Sequence, residues 1–260
     1  MTEKQSERQR KILEIIAGES GIEVASLADM TGVSKVTLRK DLDKLEEKGI
    51  IRHEKGRVFP GSSDDINNRL TYHYDTKRKI ARRACTLVQD GEAVMIESGS
   101  CCAILAEELT VNRLDVRIIT NSAFIAAYIR RLPRAKIVLL GGDYQNNAQV
   151  MVGPITRLCV RSFTVDKLFI GTDGFSENAG FTGKDHMRSE TVQDMSRQAG
   201  QVIILTESEK FSKQGLSPLL PFSGISSVIT DNAIPPEKEQ FLLERGIRVY
   251  KVDETITPLA

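Results

Sequence analysis

From residue 93 to residue 252 the chain alternates short apolar runs with longer stretches in which apolar residues recur every three or four positions. Short apolar runs of this kind predict buried strands, and the longer periodic stretches predict helices. The predicted strands are residues 93–97, 116–120, 136–140, 167–170, 202–206, 227–230 and 247–252, and the predicted helices include residues 101–109, 123–131 and 188–199. Because such alternation is typical of parallel strands joined by covering helices, it predicts an α/β domain with a mainly parallel sheet.

Length and composition indicate the number of domains and the kind of protein. The chain has 260 residues, of which 40% are hydrophobic and 27% charged. At roughly 100–200 residues per domain, this length predicts two domains. No apolar run reaches the ~18 residues of a membrane-spanning helix, and residues 1–10 lack the apolar segment of a secretory signal. We therefore expect a cytoplasmic protein without a membrane partner.

The cysteines do not suggest a metal site or a disulfide framework. Cys85, Cys101, Cys102 and Cys159 have no C-x-x-C spacing, and the three histidines are scattered. We expect reduced thiols, no bound metal and no cofactor. Cys101 and Cys102 begin a predicted helix, where they are either small residues beside a ligand turn or redox sensors.

The N-terminal segment predicts a helix-turn-helix unit. Apolar residues at helical spacing predict a first helix over residues 8–17, and residues 24–30 predict a second, which the turn at Thr31 and Gly32 ends. Ser34 is a good N-cap for a third helix. The net charge of +1 gives no evidence for a polyanionic partner, so any such partner must be recognised by local charge.

The third predicted helix has two faces. Leu38, Leu42 and Leu45 fall within an arc of roughly 60° and predict a buried face. Two strand-like runs around residues 54–56 then predict a hairpin, or wing. Such a helix can enter the major groove of DNA, although a three-helix domain that binds another protein is the alternative. The predicted DNA-binding residues are Ser34, Lys35, Val36, Thr37, Arg39, Lys40, Arg52, His53, Lys55 and Arg57.

A polar, turn-rich segment follows the hairpin and predicts a linker. We assign residues 1–60 to the helix-turn-helix domain, 61–75 to the linker and 76–260 to the α/β domain. The helix predicted over residues 76–88 carries the basic cluster Lys77, Arg78, Lys79, Arg82 and Arg83. Such a cluster indicates a solvated helix face, with contact to the DNA backbone or coupling between the domains as the alternatives.

Small and polar residues follow several predicted strands. Residues 97–100 lead from a strand into a helix, where free N–H groups and the positive helix end favour a phosphate. Similar turns recur at residues 120–122, 141–143, 171–174 and 207–211. Because the carboxyl ends of parallel strands meet at one edge of a sheet, these turns predict one ligand pocket.

Two groups of residues resemble the DeoR family of bacterial transcriptional regulators. The N-terminal group is Val33-Ser34-x-x-Thr37-Leu38-Arg39-Lys40-Asp41-Leu42-x-x-Leu45, preceded by Ser26-Leu27-Ala28 and followed by Gly49-Ile50-Ile51-Arg52. The C-terminal group is Glu97-x-Gly99-Ser100, Thr120-Asn121, Gly141-Gly142, Gly171-x-Asp173-Gly174 and Glu207-Ser208-Glu209-Lys210-Phe211. The resemblance extends from about residue 8 to residue 252.

This resemblance implies a C-terminal sensor domain with a fold related to ribose-phosphate isomerases and glucosamine-phosphate deaminases. It also implies that the effector is a phosphorylated sugar or sugar alcohol. The effector-binding residues that it implies, together with the turns, are Glu97, Ser98, Gly99, Ser100, Cys101, Thr120, Asn121, Ser122, Gly141, Gly142, Thr172, Asp173, Gly174, Glu190, Glu207 and Lys210.

Several positions depart from the family pattern. On the DNA side, Lys40 stands where Arg is usual, and residues 53–56 replace the common His-Gly-Gly of the wing. On the effector side, Glu97 and Glu207 stand where Asp is usual, and Glu209 stands where Ser is usual. We hypothesise that the effector differs from the commonest ones in the position of its charge or hydroxyl groups.

The leading hypothesis is a DNA-binding transcriptional regulator, a repressor of a carbohydrate uptake or catabolism operon, and not an enzyme. Its predicted partners are double-stranded operator DNA, the phosphorylated effector and further copies of the chain in a dimer or tetramer, because one helix-turn-helix reads only a half-site. The alternative is a sugar-phosphate isomerase or deaminase with an appended helix-turn-helix domain. In that enzyme Asp173, Glu190 or Glu207 would be the base.

Overall fold

The computed structural model describes residues 8–9, 11–13, 15–16, 21–47, 51–60 and 65–253. The chain divides into a first unit, Met1–Tyr74, and a second unit, Asp75–Ala260. Each unit has its own buried core, so each is described by itself. Among the described residues, no helix has the length and apolar character needed to cross a membrane.

The first unit contains the predicted helix-turn-helix. Helix α1 comprises the described helical residues 8–9, 11–13 and 15–16, α2 spans Val24–Thr31 and α3 spans Lys35–Glu47. The predicted ends of the first and third helices, at residues 17 and 49, lie outside the described residues. The helices enclose an apolar core of Ile12, Leu13, Ile16, Ile22, Leu27, Ala28, Leu38, Leu42, Leu45, Ile51 and Val58.

The predicted wing is an antiparallel hairpin of β2 (Ile51–Glu54) and β3 (Arg57–Pro60). It closes through Lys55 and Gly56, which both have positive φ, as a type I′ turn requires. A short strand that the sequence did not predict, β1 (Ile22–Glu23), pairs with β3 and completes a three-stranded sheet. The first unit is therefore a winged helix-turn-helix.

The predicted linker, residues 61–75, is partly described. Residues 61–64 lie outside the described residues, whereas Ile66–Thr71 form helix α4. Helix α5 (Tyr74–Cys85) begins where the sequence passes from the first unit to the second. The division into residues 1–60, 61–75 and 76–260 stays a prediction.

The second unit is built on a seven-stranded sheet in the order β15-β14-β12-β9-β4-β5-β6. All of its strand pairs are parallel, which confirms the predicted α/β fold. Its strands are β4 (Ala93–Ile96), β5 (Arg117–Thr120), β6 (Lys136–Leu139), β9 (Val165–Ile170), β12 (Ala199–Leu205), β14 (Ser227–Asp231) and β15 (Arg248–Val252). The helices that follow α5 are α6 (Ser100–Asn112), α7 (Ala123–Ile129), α8 (Gly153–Val160), α9 (His186–Ser196) and α10 (Pro236–Leu243).

The order of the strands creates a switch point between β4 and β9. From β4 the chain runs outward through β5 and β6, and then returns to the other side of β4 and runs outward through β9, β12, β14 and β15. The loops that follow β4 and β9 therefore lead in opposite directions at the carboxyl edge of the sheet, which is the position where ligands bind in folds of this class.

Two small sheets flank this edge, and the sequence did not predict them. One is the hairpin of β7 (Asp143–Gln145) and β8 (Val150–Val152), and the other contains β10 (Gly174–Ser176), β11 (Gly180–Gly183) and β13 (Ser217–Pro218). Four of these five strands lack a run of apolar residues, which is the pattern that identified the strands of the large sheet.

Candidate functional sites

Helix α3 begins at the predicted N-cap. The Ser34 hydroxyl accepts a hydrogen bond from the Thr37 N–H at 3.2 Å, and the two hydroxyl oxygens lie 2.9 Å apart. This bond satisfies one of the N–H groups that the first turn of a helix leaves without a partner. The cap prediction is confirmed, and it fixes the start of the helix whose first turns carry the predicted DNA contacts.

The two predicted faces of α3 are both present. Leu38, Leu42 and Leu45 are buried in the core of the first unit. On the other side Arg39 is exposed and Val36 is 67% exposed, so that an apolar side chain lies beside cations. Lys35 and Lys40 are also exposed, whereas Thr37 is half-buried. This surface offers methyl groups to thymine and positive charge to phosphate or guanine, as a major-groove reader requires.

Asp41 holds the third helix against the first. It is 2% exposed and accepts hydrogen bonds from Arg8 Nε at 2.6 Å and from Gln9 Nε2 at 3.1 Å. This contact was not among the predictions from sequence. The position of Asp41, three residues after Leu38 and four before Leu45, places it on the leucine face, and that spacing was the available signal.

The predicted wing residues mostly bind within the first unit. The backbone N–H of His53 donates to Glu46 Oε1 at 2.8 Å, and His53 Nδ1 lies 2.7 Å from Glu46 Oε2; these hydrogen bonds lower the pKa of Glu46. Arg57 Nη2 donates to Gly21 O at 2.7 Å. Arg52 pairs with Glu54 and lies 5.0 Å over the Phe59 ring. Lys55, at the tip of the turn, is exposed.

At the carboxyl end of β4, the chain turns sharply into α6. Gly99, the N-cap residue, has φ +122° and ψ +159°, a conformation that is essentially restricted to glycine. It offers no side chain to cap the helix, and a Cβ at this position would meet no atom within 4 Å beyond those of its chain neighbours. The positive end of this 13-residue helix lies at the switch point of the sheet, a position that suits an anion.

Side chains next to Gly99 are buried. Glu97 is 6% exposed and accepts a hydrogen bond from Ser98 Oγ at 2.5 Å. Ser100 and Cys101, in the first turn of α6, are also buried. The predicted residues 97–101 thus form one continuous segment from the end of β4 into the first turn of α6, at the switch point.

The turn after β5 carries an acceptor with no partner. The side-chain amide of Asn121 donates to Met151 O at 2.9 Å, and its main-chain O accepts from Met151 N at 2.8 Å, so β8 holds the residue firmly. Asn121 Oδ1 is buried and has no hydrogen-bond partner among the described residues. Because a buried acceptor without a partner is costly, this oxygen indicates a ligand or a bound water. Thr120 and Ser122, on either side, are buried.

The turn after β9 is tied to the start of α9. Asp173 Oδ2 accepts a hydrogen bond from the Lys184 N–H at 3.0 Å, and Thr172 Oγ1 donates to Gly174 O at 2.8 Å. Gly141 and Gly142 lie elsewhere, after the edge strand β6, where Thr156 of α8 donates to Gly141 O at 2.8 Å. Residues 97–101 and 172–174 thus follow the neighbouring strands β4 and β9, whereas residues 141–142 follow β6, the edge strand of the sheet.

The segment after β12 contains two acids in different surroundings. Glu207 is buried, and its Oε1 lies 3.3 Å from Nζ of Lys77. Glu209 is partly exposed and lies 2.9 Å from Lys210 Nζ and 3.0 Å from Lys213 Nζ. Burial would raise the pKa of Glu209, but hydrogen bonds from the two lysines outweigh it and lower that pKa to about 2.

The N-cap residue of α9 is a charged group that sequence reasoning missed. Asp185 caps the helix by accepting from the Arg188 N–H at 2.9 Å, and it also accepts from Gln145 Nε2 of β7 at 3.1 Å. Burial opposes ionisation of Asp185, but these hydrogen bonds and the charge of Arg188 lower its pKa. Glu190, which was predicted, is half-exposed and lies 3.6 Å from His186 Nε2.

A winged helix-turn-helix unit followed by an α/β domain is an organisation found in transcriptional regulators. The family model described as "DeoR-like helix-turn-helix domain" matches residues 8–62, and the one described as "DeoR C terminal sensor domain" matches residues 72–232. The chain therefore belongs to the DeoR family of transcriptional regulators.

Curated relatives match along nearly their whole length. The transcriptional regulator IolR of Bacillus subtilis is 27% identical over 246 residues, which cover 94% of this chain and 98% of that protein. The glycerol-3-phosphate regulon repressor of Escherichia coli is 24% identical over 249 residues, which cover 95% and 98%. These relatives are regulators of transcription.

Solved structures show weaker likeness. Ribose 5-phosphate isomerase A of Methanocaldococcus jannaschii has a TM-score of 0.39 at 20% identity, over 53% of this chain and 54% of that chain. A sor operon regulator of Shigella flexneri has a TM-score of 0.43 at 10% identity, over 66% of this chain and 89% of that chain. At these TM-scores the likeness carries no assignment of activity.

Proposed function

We propose that this protein is a repressor of an operon for carbohydrate uptake or catabolism, and that it acts in the cytoplasm on double-stranded operator DNA. Residues 1–60 would bind DNA, residues 61–75 would link the domains, and residues 76–260 would bind the effector and assemble the oligomer. The observation that carries the proposal is the exposed cationic face of α3, opposite its leucine face, in a helix-turn-helix unit.

The proposed DNA contacts on α3 are the exposed Lys35, Val36, Arg39 and Lys40, with Ser34 and Thr37 at its start. Lys55 is the wing residue that we place against phosphate. The other wing residues hold the wing in position: Arg52 contacts Glu54, His53 contacts Glu46, and Arg57 contacts Gly21. They reach DNA only through N–H groups that these contacts do not use.

We propose that a phosphorylated sugar or sugar alcohol binds at the carboxyl edge of the sheet. The N-terminus of α6 suits its phosphate, and Asn121 Oδ1 suits a hydroxyl donor. Carboxylates at Glu97 and Glu207 add acceptors for further hydroxyl groups. The name of a relative, the glycerol-3-phosphate regulon repressor, is in keeping with such an effector.

DNA binding can be tested with the purified full-length chain and a labelled duplex from the promoter nearest its coding sequence. We expect salt-dependent binding in a fluorescence anisotropy assay, with weaker binding to a scrambled duplex of the same length. Equal affinity for both duplexes, or no binding, would refute the proposal.

Effector control can be tested in the same assay with glycerol 3-phosphate, ribose 5-phosphate, fructose 6-phosphate and glucosamine 6-phosphate. The unphosphorylated compounds and inorganic phosphate are the matched controls. We expect at least one phosphorylated compound to weaken operator binding while its unphosphorylated form does not. If none changes the affinity, the effector class that we propose is wrong, although the DNA-binding proposal stands.

A further inference from the structure

Lys77 occupies a core position of helix α5. The buried residues of this helix are Lys77, Ile80, Ala81, Ala84 and Cys85. Lys77 therefore belongs to the stripe of positions three and four residues apart that faces the interior of the second unit. It is the only buried lysine among the described residues. The basic cluster that the sequence placed on a solvated helix face thus includes one cation that faces the core.

The charge of Lys77 is matched by that of Glu207. Nζ of Lys77 lies 3.3 Å from Oε1 of Glu207, and the two side chains are 3% and 7% exposed. The attraction within a buried ion pair is largely cancelled by the cost of removing both charges from water, and an apolar pair of similar volume often replaces it without loss of stability. Stability of the fold therefore does not explain why these positions carry charges.

The pair joins two functionally different places along the chain. Glu207 is the second residue after β12, at the carboxyl edge of the sheet, and its main-chain O accepts a hydrogen bond from the Lys210 N–H at 3.0 Å. Lys77 lies on the helix that begins at Tyr74, the last residue of the first unit. One contact thus connects the proposed effector edge to the helix that follows the junction between the units in the sequence.

We propose that the Lys77–Glu207 pair transmits effector occupancy to the DNA-binding unit, with Lys77 as the positioning residue. This inference rests on the proposed function. A sugar hydroxyl group donates to Glu207, so the effector competes with Lys77 for this carboxylate. Release of Lys77 frees α5 to shift, and the chain carries that shift toward the first unit. Coupling requires only that the effector bind the two arrangements of the pair with different affinity.

The test is Lys77→Met, which replaces the ammonium with an unbranched apolar side chain. The Kd for operator is measured by anisotropy with and without the compound of the sugar-phosphate panel that shifts wild-type binding most, and the Kd for that compound is measured by calorimetry. Coupling between two sites typically changes affinity by roughly 5- to 150-fold, and we expect this factor to fall to about one in Lys77→Met while operator binding is retained.

Two further variants separate coupling from a merely structural role. Lys77→Arg keeps the charge and is expected to retain a coupling factor well above one. Lys79→Met removes a charge from the same helix at a half-buried position, and we expect it to keep the wild-type factor. Loss of coupling in Lys79→Met as well would show that any loss of charge on α5 suffices, and the specific role of Lys77 would be refuted.

The outcomes distinguish this inference from the proposed function. A wild-type coupling factor in Lys77→Met overturns the inference and leaves the proposed function intact. Failure of every compound to shift wild-type DNA binding removes the proposed effector control and the inference with it. If Lys77→Met does not fold, hydrogen exchange of the wild-type protein decides: the effector must change the protection of α5 amides, and unchanged protection overturns the inference.

Discussion

Arg39, Lys40 and Asp41 are consecutive residues of α3, yet the two cations are exposed and the acid is 2% exposed. At about 100° per residue, Asp41 falls on the face of Leu38 and Leu45, whereas the cations fall outside it. Whether each of these charged residues is exposed or buried therefore depends on its position around the helix. Positive charge remains on the surface that we propose to face DNA, and the nearest negative charge is turned inward.

Arg39→Ala and Lys40→Ala test this surface. If either side chain contacts guanine, its removal should weaken operator binding by about 1–3 kcal/mol. If it contacts phosphate, the variant should mainly flatten the dependence of log Kd on log salt. Anisotropy titrations at several salt concentrations separate the two cases. Lys44→Ala, on the last turns of the same helix, is the matched control, and unchanged affinity in both test variants would remove the proposed reading face.

Glu209 gives a prediction about pH. Its pKa is lowered from 4.5 to about 2 because hydrogen bonds from Lys210 and Lys213 outweigh burial, which acts in the opposite direction. Since the folded pKa lies below the unfolded value, this stabilisation is complete above about pH 4.5 and is lost as the pH falls toward 2. We expect Glu209→Gln to lower the free energy of unfolding by about 1–2 kcal/mol near neutral pH, after allowance for solvent screening.

The measurement is urea denaturation of wild type and Glu209→Gln across the acid range. The difference between them should shrink as the pH falls from about 5 to about 3. Glu237→Gln, an exposed acid on α10, is the control and should show no such trend. A difference that stays constant with pH would contradict the assignment of the stabilisation to the ionised Glu209.

At the scale of elements, the structure depends on polar contacts that fix a helix against a neighbouring helix or strand. α3 is held to α1 by the hydrogen bonds of Asp41 with Arg8 and Gln9, and β7 is held to α9 by the hydrogen bond from Gln145 to Asp185. Apolar packing is tolerant of small sliding motions, whereas a buried hydrogen bond has a narrow range of distance and angle. These hydrogen bonds therefore fix the positions of α3 and α9 more narrowly than apolar packing alone would.

Asp41→Ala should loosen α3 without touching its exposed face. The change leaves the buried Gln9 amide without its acceptor, so we expect a loss of about 2–3 kcal/mol in the stability of the first unit. Operator binding should weaken, and effector binding should not change. Hydrogen exchange of α3 amides measures the first effect. Asp43→Ala, exposed on the same helix, should stay within about 0.5 kcal/mol of wild type, and equal behaviour of the two variants would refute the anchoring role.

At the scale of the whole molecule, one winged helix-turn-helix unit reads one half-site of DNA. We therefore expect the chain to form a dimer or tetramer in solution and to protect two half-sites whose centres are separated by a multiple of about 10–10.5 base pairs. Light scattering gives the mass, and hydroxyl-radical footprinting gives the spacing. A monomer that protects the complete operator at the same affinity would contradict the expectation.

Local patterns predicted much of the fold. The seven strands of the large sheet, helices α2 and α3, the Ser34 cap and the leucine face were all recognisable because helix and strand periodicity is a property of neighbouring residues. The strands of the small sheets were not recognised, because they are two to four residues long and most of them lack an apolar run.

The sequence by itself determined the two kinds of domain, the faces of α3 and the turns at the strand ends, because periodicity and turn chemistry are local. The tertiary structure alone decided that β4 and β9 are neighbours, that Asn121 Oδ1 is buried without a partner, and that Lys77 pairs with Glu207 in the interior. The physical reason is that burial and pairing depend on segments far apart in the chain. The apolar stripe of α5 places Lys77 on the inner face of that helix, but no local pattern identifies the carboxylate that it meets.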